Sequence, residues 1–334
     1  MKKTQILSCE SYLPGTIVTS DDLFEEIKSE QQYGIPKNWM SKDMGIKERR
    51  FSEAHLSPSD LAIPAAEKAL LKAPINRNNI GMLIFCGMER DRPEPATAHT
   101  IANSLGINAE YTFDVANACY GFIEGIKIGN QFIAAGLVDN ALIVTSEICS
   151  RVVTRVTEIL KSGAPIEEAK KYIGFLSAGD AGGAIVLGES IDGNSGFELF
   201  STKTRSDYEK KCHYSFNENG QVKGQMQMGQ LSALMIKGHK MIFQETLDEL
   251  GWDKFDVLLS HQIGKRPFEK LSEIADGRIT NHIKTYDYLG NIASATFPVN
   301  FEKMIKSDIL KKGDYIGGMF AGSGLVYGQF GYIF

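Results

Sequence analysis

Cys119 lies in DVANACYGFIEGIKIGNQFIAAG, where a short strand-like run meets small and apolar residues at helical spacing. A thiol at a helix N-terminus feels unsatisfied N–H groups and the positive end of the helix dipole, which stabilise the thiolate and make it a nucleophile. The competing reading is a space-filling core residue, a common fate of cysteine. Cys86 and Cys149, in or beside apolar strands, fit that second reading. His261 follows the run DVLLS and opens HQIGKR, and Asn291 sits in YLGNIASATFP. Both follow buried-looking strands, where functional groups of α/β proteins gather. Each alone would pass for a structural hydrogen-bonding residue or a turn cap. Together they form a thiol, an imidazole and a carboxamide: one group to attack a carbonyl and two to hydrogen-bond the charge that develops.

Such a set needs a framework that gathers it. Apolar strand-like runs recur at Ile80 to Cys86, Tyr111 to Val115, Asn140 to Thr145 and Gly183 to Leu187. The rhythm returns at Asp256 to Leu259, Ile283 to Tyr286, Asp314 to Met319 and Tyr327 to Phe334, with segments of helical period between. The pattern predicts an α/β protein. A shift of about 173 residues places TFD (Thr112 to Asp114) on TYD (Thr285 to Asp287), and a shift of about 174 places Leu83 on Val257 and Gly87 on His261. Two similar halves are therefore expected, residues 1–188 carrying the cysteine and 189–334 carrying the histidine and asparagine. RVVTRVTEILKSGAPIEEAKK (151–171) reads as a helical insertion, and Ser206 to Gly224 as the most loop-like stretch. The glycine runs at Gly179 to Gly183 and Gly322 to Gly324 fit neither GxGxxG nor a Walker loop, so a nucleotide site is not expected.

These residues resemble a known family. NACYGF at Cys119, HQIGKR at His261, LGNIAS at Asn291 and the closing GSGLVYG are similar, in order and spacing, to the β-ketoacyl-acyl carrier protein synthase III group of condensing enzymes. WMSKDMGIKER (Trp39 to Arg49) extends the likeness towards the N-terminus. EPATA (Glu94 to Ala98), HQIG and YLGN further resemble the OleA type, which joins two acyl thioesters head to head. The resemblance implies a thiolase fold, duplicated βαβαβ halves in five αβαβα layers. It implies Cys119 as the acyl-carrying nucleophile, His261 and Asn291 as its helpers, and backbone N–H groups of Cys119 and Ser323 as the oxyanion hole. It also implies Glu94 as a carboxylate reaching across a homodimer into the partner's site, with Glu89 as its competitor, and Trp39, Lys265 and Arg266 near the substrate entrance. Asp43 departs from the family, which often has arginine there, and this weakens a carrier-protein docking assignment.

The implied function is Claisen condensation of an acyl group, loaded on Cys119, with a second acyl or malonyl thioester. The alternatives are standard initiation of fatty acid synthesis with a malonyl-carrier protein, or a non-catalytic partner subunit of a heterodimer. A papain-like hydrolase would share the residue types without needing duplicated halves or a GSG loop. The partners implied are acyl-CoA or acyl carrier protein, as substrates presented on a phosphopantetheine arm, with no other cofactor and no metal. Composition sets limits on the rest. A net charge of −5 over 334 residues gives no electrostatic reason for nucleic acid binding. No apolar run approaches the roughly 18 residues of a membrane span. The N-terminus lacks the pattern of a signal peptide, and five scattered cysteines without a CxxC pair fit reduced thiols in a cytoplasm.

Overall fold

The computed structural model describes residues 2–275 and 277–334. Among the described residues fourteen strands follow one another: β1 (Thr4–Tyr12), β2 (Thr16–Thr19), β3 (Glu48–Phe51), β4 (Ile80–Phe85), β5 (Tyr111–Asp114), β6 (Asn140–Glu147) and β7 (Ala181–Glu189), then β8 (Gly196–Thr204), β9 (Cys212–Phe216), β10 (Val222–Met226), β11 (Phe255–Ser260), β12 (Ile279–His282), β13 (Tyr315–Gly322) and β14 (Val326–Ile333). Ten of them build two five-stranded sheets, ordered β1-β7-β6-β4-β5 and β8-β14-β13-β11-β12. In each sheet the strand next to one edge (β4, β11) is parallel to both its neighbours, and the other pairings are antiparallel. The two halves therefore share one topology, strand for strand. β2–β3 and β9–β10 are separate two-stranded pairs.

Helices separate and cover the sheets because their apolar faces have nowhere else to go. The helix Pro58–Lys72 starts with a Ser57–Asp60 capping box and buries Ala62, Ala65, Ala66 and Ala69, small side chains that let it lie close on the first sheet. Helices Gly121–Ala134 and Thr296–Lys306 contribute Phe122, Ile126, Phe297 and Phe301 to one core that also takes Ile143 from the first sheet and Val257 and Phe330 from the second. The outer face of the second sheet is covered by Met228–Leu250 and Lys265–Ala275. Five layers result: helix, sheet, helix, sheet, helix.

Gly121, Gly125 and Gly129 recur every four residues on the buried face of the helix that follows Cys119. A Cβ at Gly125 would collide with the Cys86 sulfur and Ile143, so glycine is what lets this helix sit flush on β4 and β6. Gly125→Ala is expected to cost about 2 kcal/mol by overpacking, read as a lower midpoint in denaturant unfolding.

Three expectations need correction. Ile283 to Tyr286 is not a strand: β12 ends at His282, and Gln262 holds the following turn by accepting the Thr285 and Tyr286 N–H groups at 2.9 and 3.1 Å. The TFD/TYD match therefore pairs a strand with a turn and is coincidental, whereas β4 and β11 do correspond. The expected loop at Ser206 to Gly224 contains the β9–β10 hairpin, whose polar residues face outward in alternation. β1 and β8, unmarked in the sequence reading, each form one edge of a sheet. Residues 151–171 fall within the helices Ser150–Lys161 and Ile166–Tyr172 and the turn between them. Among the described residues no helix is long and apolar enough to cross a membrane.

Candidate active site

The site forms where the two halves meet, beyond the C-terminal ends of β4 and β11. Cys119 sits on a tight turn between β5 and the helix Gly121–Ala134, and Ala118 before it adopts a left-handed backbone (φ 48°). That conformation costs an L-residue of the order of 1 kcal/mol and persists only where the surroundings impose it. Here the Tyr120 and Gly121 N–H groups close the turn on the Asn117 and Ala118 carbonyls at 3.1 and 3.0 Å. Ala293, two residues after Asn291, is strained in the same way (φ 44°).

Asn291 is fixed by the other half of the molecule. Its backbone N–H donates to the Ser177 carbonyl at 2.9 Å, and its carbonyl accepts from the Gly179 N–H at 3.1 Å. Its side-chain oxygen accepts the Ala293 N–H at 3.0 Å, which leaves the NH₂ group to donate into the cavity. His261 follows β11 and is tied by its own N–H to the Met319 carbonyl at 3.0 Å. Its Nδ1 lies 3.5 Å from the Thr296 hydroxyl, which already gives its proton to the Ala293 carbonyl at 2.8 Å. At 3.5 Å this contact does not fix the tautomer, so Nε2 can carry the proton where a substrate oxygen offers it an acceptor. Burial lowers the His261 pKa to about 4, and the ring is neutral at physiological pH.

The GSG loop closes on the cysteine turn. A Cβ at Gly322 would lie 3.0 Å from both the Asn117 carbonyl and the Tyr120 nitrogen, so the two backbones already touch. Beneath them, Glu147 is buried and accepts hydrogen bonds from the Ser294 hydroxyl, from the Ser294 N–H at 3.3 Å and from the Met88 N–H at 3.4 Å. This ties β6 of one half to the Asn291 loop of the other. Burial raises the Glu147 pKa to about 8.

Two cavities meet at Cys119. A narrow one, lined by Met228, Leu231, Met235, Ile263 and Leu325, also touches His261. A wide one of about 710 Å³ extends past Glu89, Arg151, Tyr214 and Phe175. Cys119, Asn291, Ser323, Cys212 and Met226 border both. One space is mostly apolar and the other is partly charged, an arrangement suited to a substrate with an oily chain and a polar carrier.

One sequence expectation is reversed by this setting. The cysteine turn approaches a helix N-terminus, but burial pushes the Cys119 thiol up and the nearby Glu147 adds to it. The desolvation of the anion outweighs the dipole. Alkylation of Cys119 by iodoacetamide is accordingly expected to accelerate continuously from about pH 7 to about pH 10, because the reactive thiolate is still scarce at neutral pH. A rate already level at neutral pH would contradict a raised pKa.

The remaining sequence-derived residues are placed as follows. Glu94 is exposed on the loop before the helix Thr97–Leu105 and lines neither cavity of its own chain. Glu89 does line the wide cavity, paired with Arg151 at 2.8 Å, and burial raises its pKa against the pull of that arginine. Trp39 packs on Phe24, and the Lys265 N–H reaches the Met44 carbonyl at 2.8 Å. Trp39, Lys265 and Arg266 are absent from the lining of both cavities. Cys149 lines the wide cavity, although its strand-side position read as plain core. Cys212, Met226 and the cavity face of Met228–Leu250 were not anticipated. The only signal for them was the apolar spacing of that helix, which any core helix shares.

Models of the 3-oxoacyl-[acyl-carrier-protein] synthase III family match residues 113–208, and its C-terminal part matches residues 247–330. The chain is 27% identical to β-ketoacyl-[acyl-carrier-protein] synthase III of Actinobacillus succinogenes, over 97% of this chain and 99% of that one. It is 29% identical to the acyl-CoA:acyl-CoA alkyltransferase of Xanthomonas campestris, over 93% of each. The solved structure of cerulenin-bound OleA from Xanthomonas campestris superposes with a TM-score of 0.91 at 26% identity, over 99% of this chain and 97% of that one. With both family models matched in order, across two halves of one topology, the chain belongs to the 3-oxoacyl-[acyl-carrier-protein] synthase III family, carbon–carbon bond-forming acyltransferases of the thiolase fold.

Proposed function

We propose that this enzyme condenses two acyl thioesters without decarboxylation, with Cys119 carrying the first acyl group. The observation that carries the reading is the position of Cys119 at the junction of two cavities, beside His261 and Asn291. In the first step the Cys119 sulfur attacks the thioester carbon, the bond to the CoA sulfur breaks, and the thiol proton leaves with the departing CoA. Backbone N–H groups of Cys119 and Ser323 hold the oxyanion.

In the second step a base removes the α-proton of the other acyl thioester. The neutral His261 Nε2–H and the free Asn291 NH₂ donate to the thioester oxygen as it gains enolate charge. The carbanion attacks the acyl-cysteine, a carbon–carbon bond forms, and the Cys119 thiolate is released with the β-ketoacyl thioester. The base is Glu94 of a second copy of the chain. What supports this is the EPATA motif and the exposure of Glu94, which lets it serve a neighbouring site while lining no cavity of its own. A homodimer follows from that assignment. A second reading places the base in the same chain: Glu89 borders the wide cavity, and burial moves its pKa towards the useful range.

The proposal is tested by incubating the purified protein with a single acyl-CoA and no malonyl thioester. A β-ketoacyl product with one free CoA per condensation is expected. Product that appears only when malonyl thioester is added would assign the chain to decarboxylating initiation instead.

A further inference from the structure

The molecule places a second thiol where only one is needed. Cys212 opens β9 and pairs across the hairpin with Met226, and this rung forms the wall shared by both cavities. Its side chain is unpaired and half-buried, as is that of Cys119. The five residues common to the two cavities include both cysteines together with Asn291 and Ser323. Both cavities that reach Cys119 are therefore bordered by Cys212 as well.

From this shared position we propose that Cys212 is a second acyl-acceptor thiol, loaded by the same class of acyl thioester as Cys119. The inference rests on the reading of Cys119 as the primary acyl carrier. The Cys212 sulfur attacks the carbonyl carbon of an acyl-CoA, or of the acyl group already on Cys119. A new carbon–sulfur bond forms, the bond to the CoA or Cys119 sulfur breaks, and the proton of the Cys212 thiol passes to the departing sulfur. One thioester replaces another, so the exchange is nearly isoenergetic and needs no oxidant. Ser323, whose backbone N–H is assigned to the oxyanion, also turns its hydroxyl to the Cys212 sulfur. Burial raises this thiol to about 11, with the Ser323 hydroxyl acting in the opposite direction. A second acceptor thiol in the cavities that reach Cys119 would let the enzyme hold a second chain beside the first.

The other cysteines supply the internal control. Cys9 and Cys86 are buried in the core, and Cys149 borders the wide cavity alone. The bland reading of Cys212 is a small side chain that completes the cavity wall.

Intact-protein and peptide mass spectrometry after incubation with octanoyl-CoA separates the two. Cys119→Ala is expected to carry one octanoyl group, mapped to Cys212, and Cys119→Ala/Cys212→Ala none. Wild type at saturating donor should yield the Cys212 adduct as well as the Cys119 adduct, a measurement that does not depend on the variants folding. Absence of any Cys212 adduct in both wild type and Cys119→Ala overturns the proposal, as does equal labelling of Cys149. Cys212→Ala reports separately on the primary carrier: loss of the Cys119 adduct there would count against the reading of Cys119.

Discussion

Cys119→Ala is expected to fold normally and to lose condensation by a factor of about 10³ or more, because removing a covalent nucleophile removes the step that divides the barrier. The folding half of that expectation comes from the surroundings of the turn. Ala118, not Cys119, carries the strained backbone, and the turn is closed by main-chain hydrogen bonds that alanine retains. Steady-state release of CoA and formation of the β-keto product, measured beside a far-ultraviolet spectrum, check both halves. A variant with a native spectrum and more than about a tenth of wild-type condensation would show that the acyl group need not pass through this residue.

Glu94→Gln is expected to divide the two half-reactions. Acyl loading on Cys119 needs no carboxylate and should persist at the wild-type level. Condensation should fall by about 10²-fold or more, the usual scale for loss of a general base. Glutamine keeps the size and polarity of the side chain, so a structural role would be largely spared. Glu89→Gln is the matched comparison. Its carboxylate is held by Arg151 at 2.8 Å, and the amide would weaken that pair at the cavity wall. It is expected to cost less than about 10-fold in condensation. The reverse ranking would move the base from the neighbouring copy to the same chain.

The distribution of charge in the site explains what the sequence could and could not reveal. Cys119, His261 and Asn291 were legible because each ends a strand-like run within a distinctive motif, and the structure brings Cys119 and Asn291 to both cavities and His261 to the narrow one. The duplication was legible in the spacing of β4 and β11. The TFD/TYD match failed because three residues of similar type recur by chance, and only hydrogen-bond partners such as those of Gln262 distinguish a strand from a turn. The cysteine's protonation was misjudged for a physical reason. A position at a helix N-terminus is visible in sequence, whereas the burial of that position and a carboxylate 28 residues later, at Glu147, are properties of the assembled halves. Cys212 was hidden similarly, since a polar stretch gave no sign that one rung of a hairpin would form a wall between cavities.

The glycine pattern illustrates the opposite case. Gly179 to Gly183, which fits no nucleotide motif, serves packing: a Cβ at Gly182 would strike the Leu61 carbonyl, and one at Gly183 would strike Pro298. The run serves contact between β7 and two helices. Gly322 brings the GSG loop onto the cysteine turn, the close approach that the proposed oxyanion site needs.

The central claim is that Cys119 holds an acyl group that is then passed to a second thioester. Its most direct test is rapid quenching of wild-type protein with a single acyl-CoA, followed by peptide mass spectrometry through time. The account predicts an acyl adduct on Cys119 that appears with the first CoA released and decays as β-ketoacyl product accumulates. Product formation with no acyl group ever present on Cys119 would contradict it.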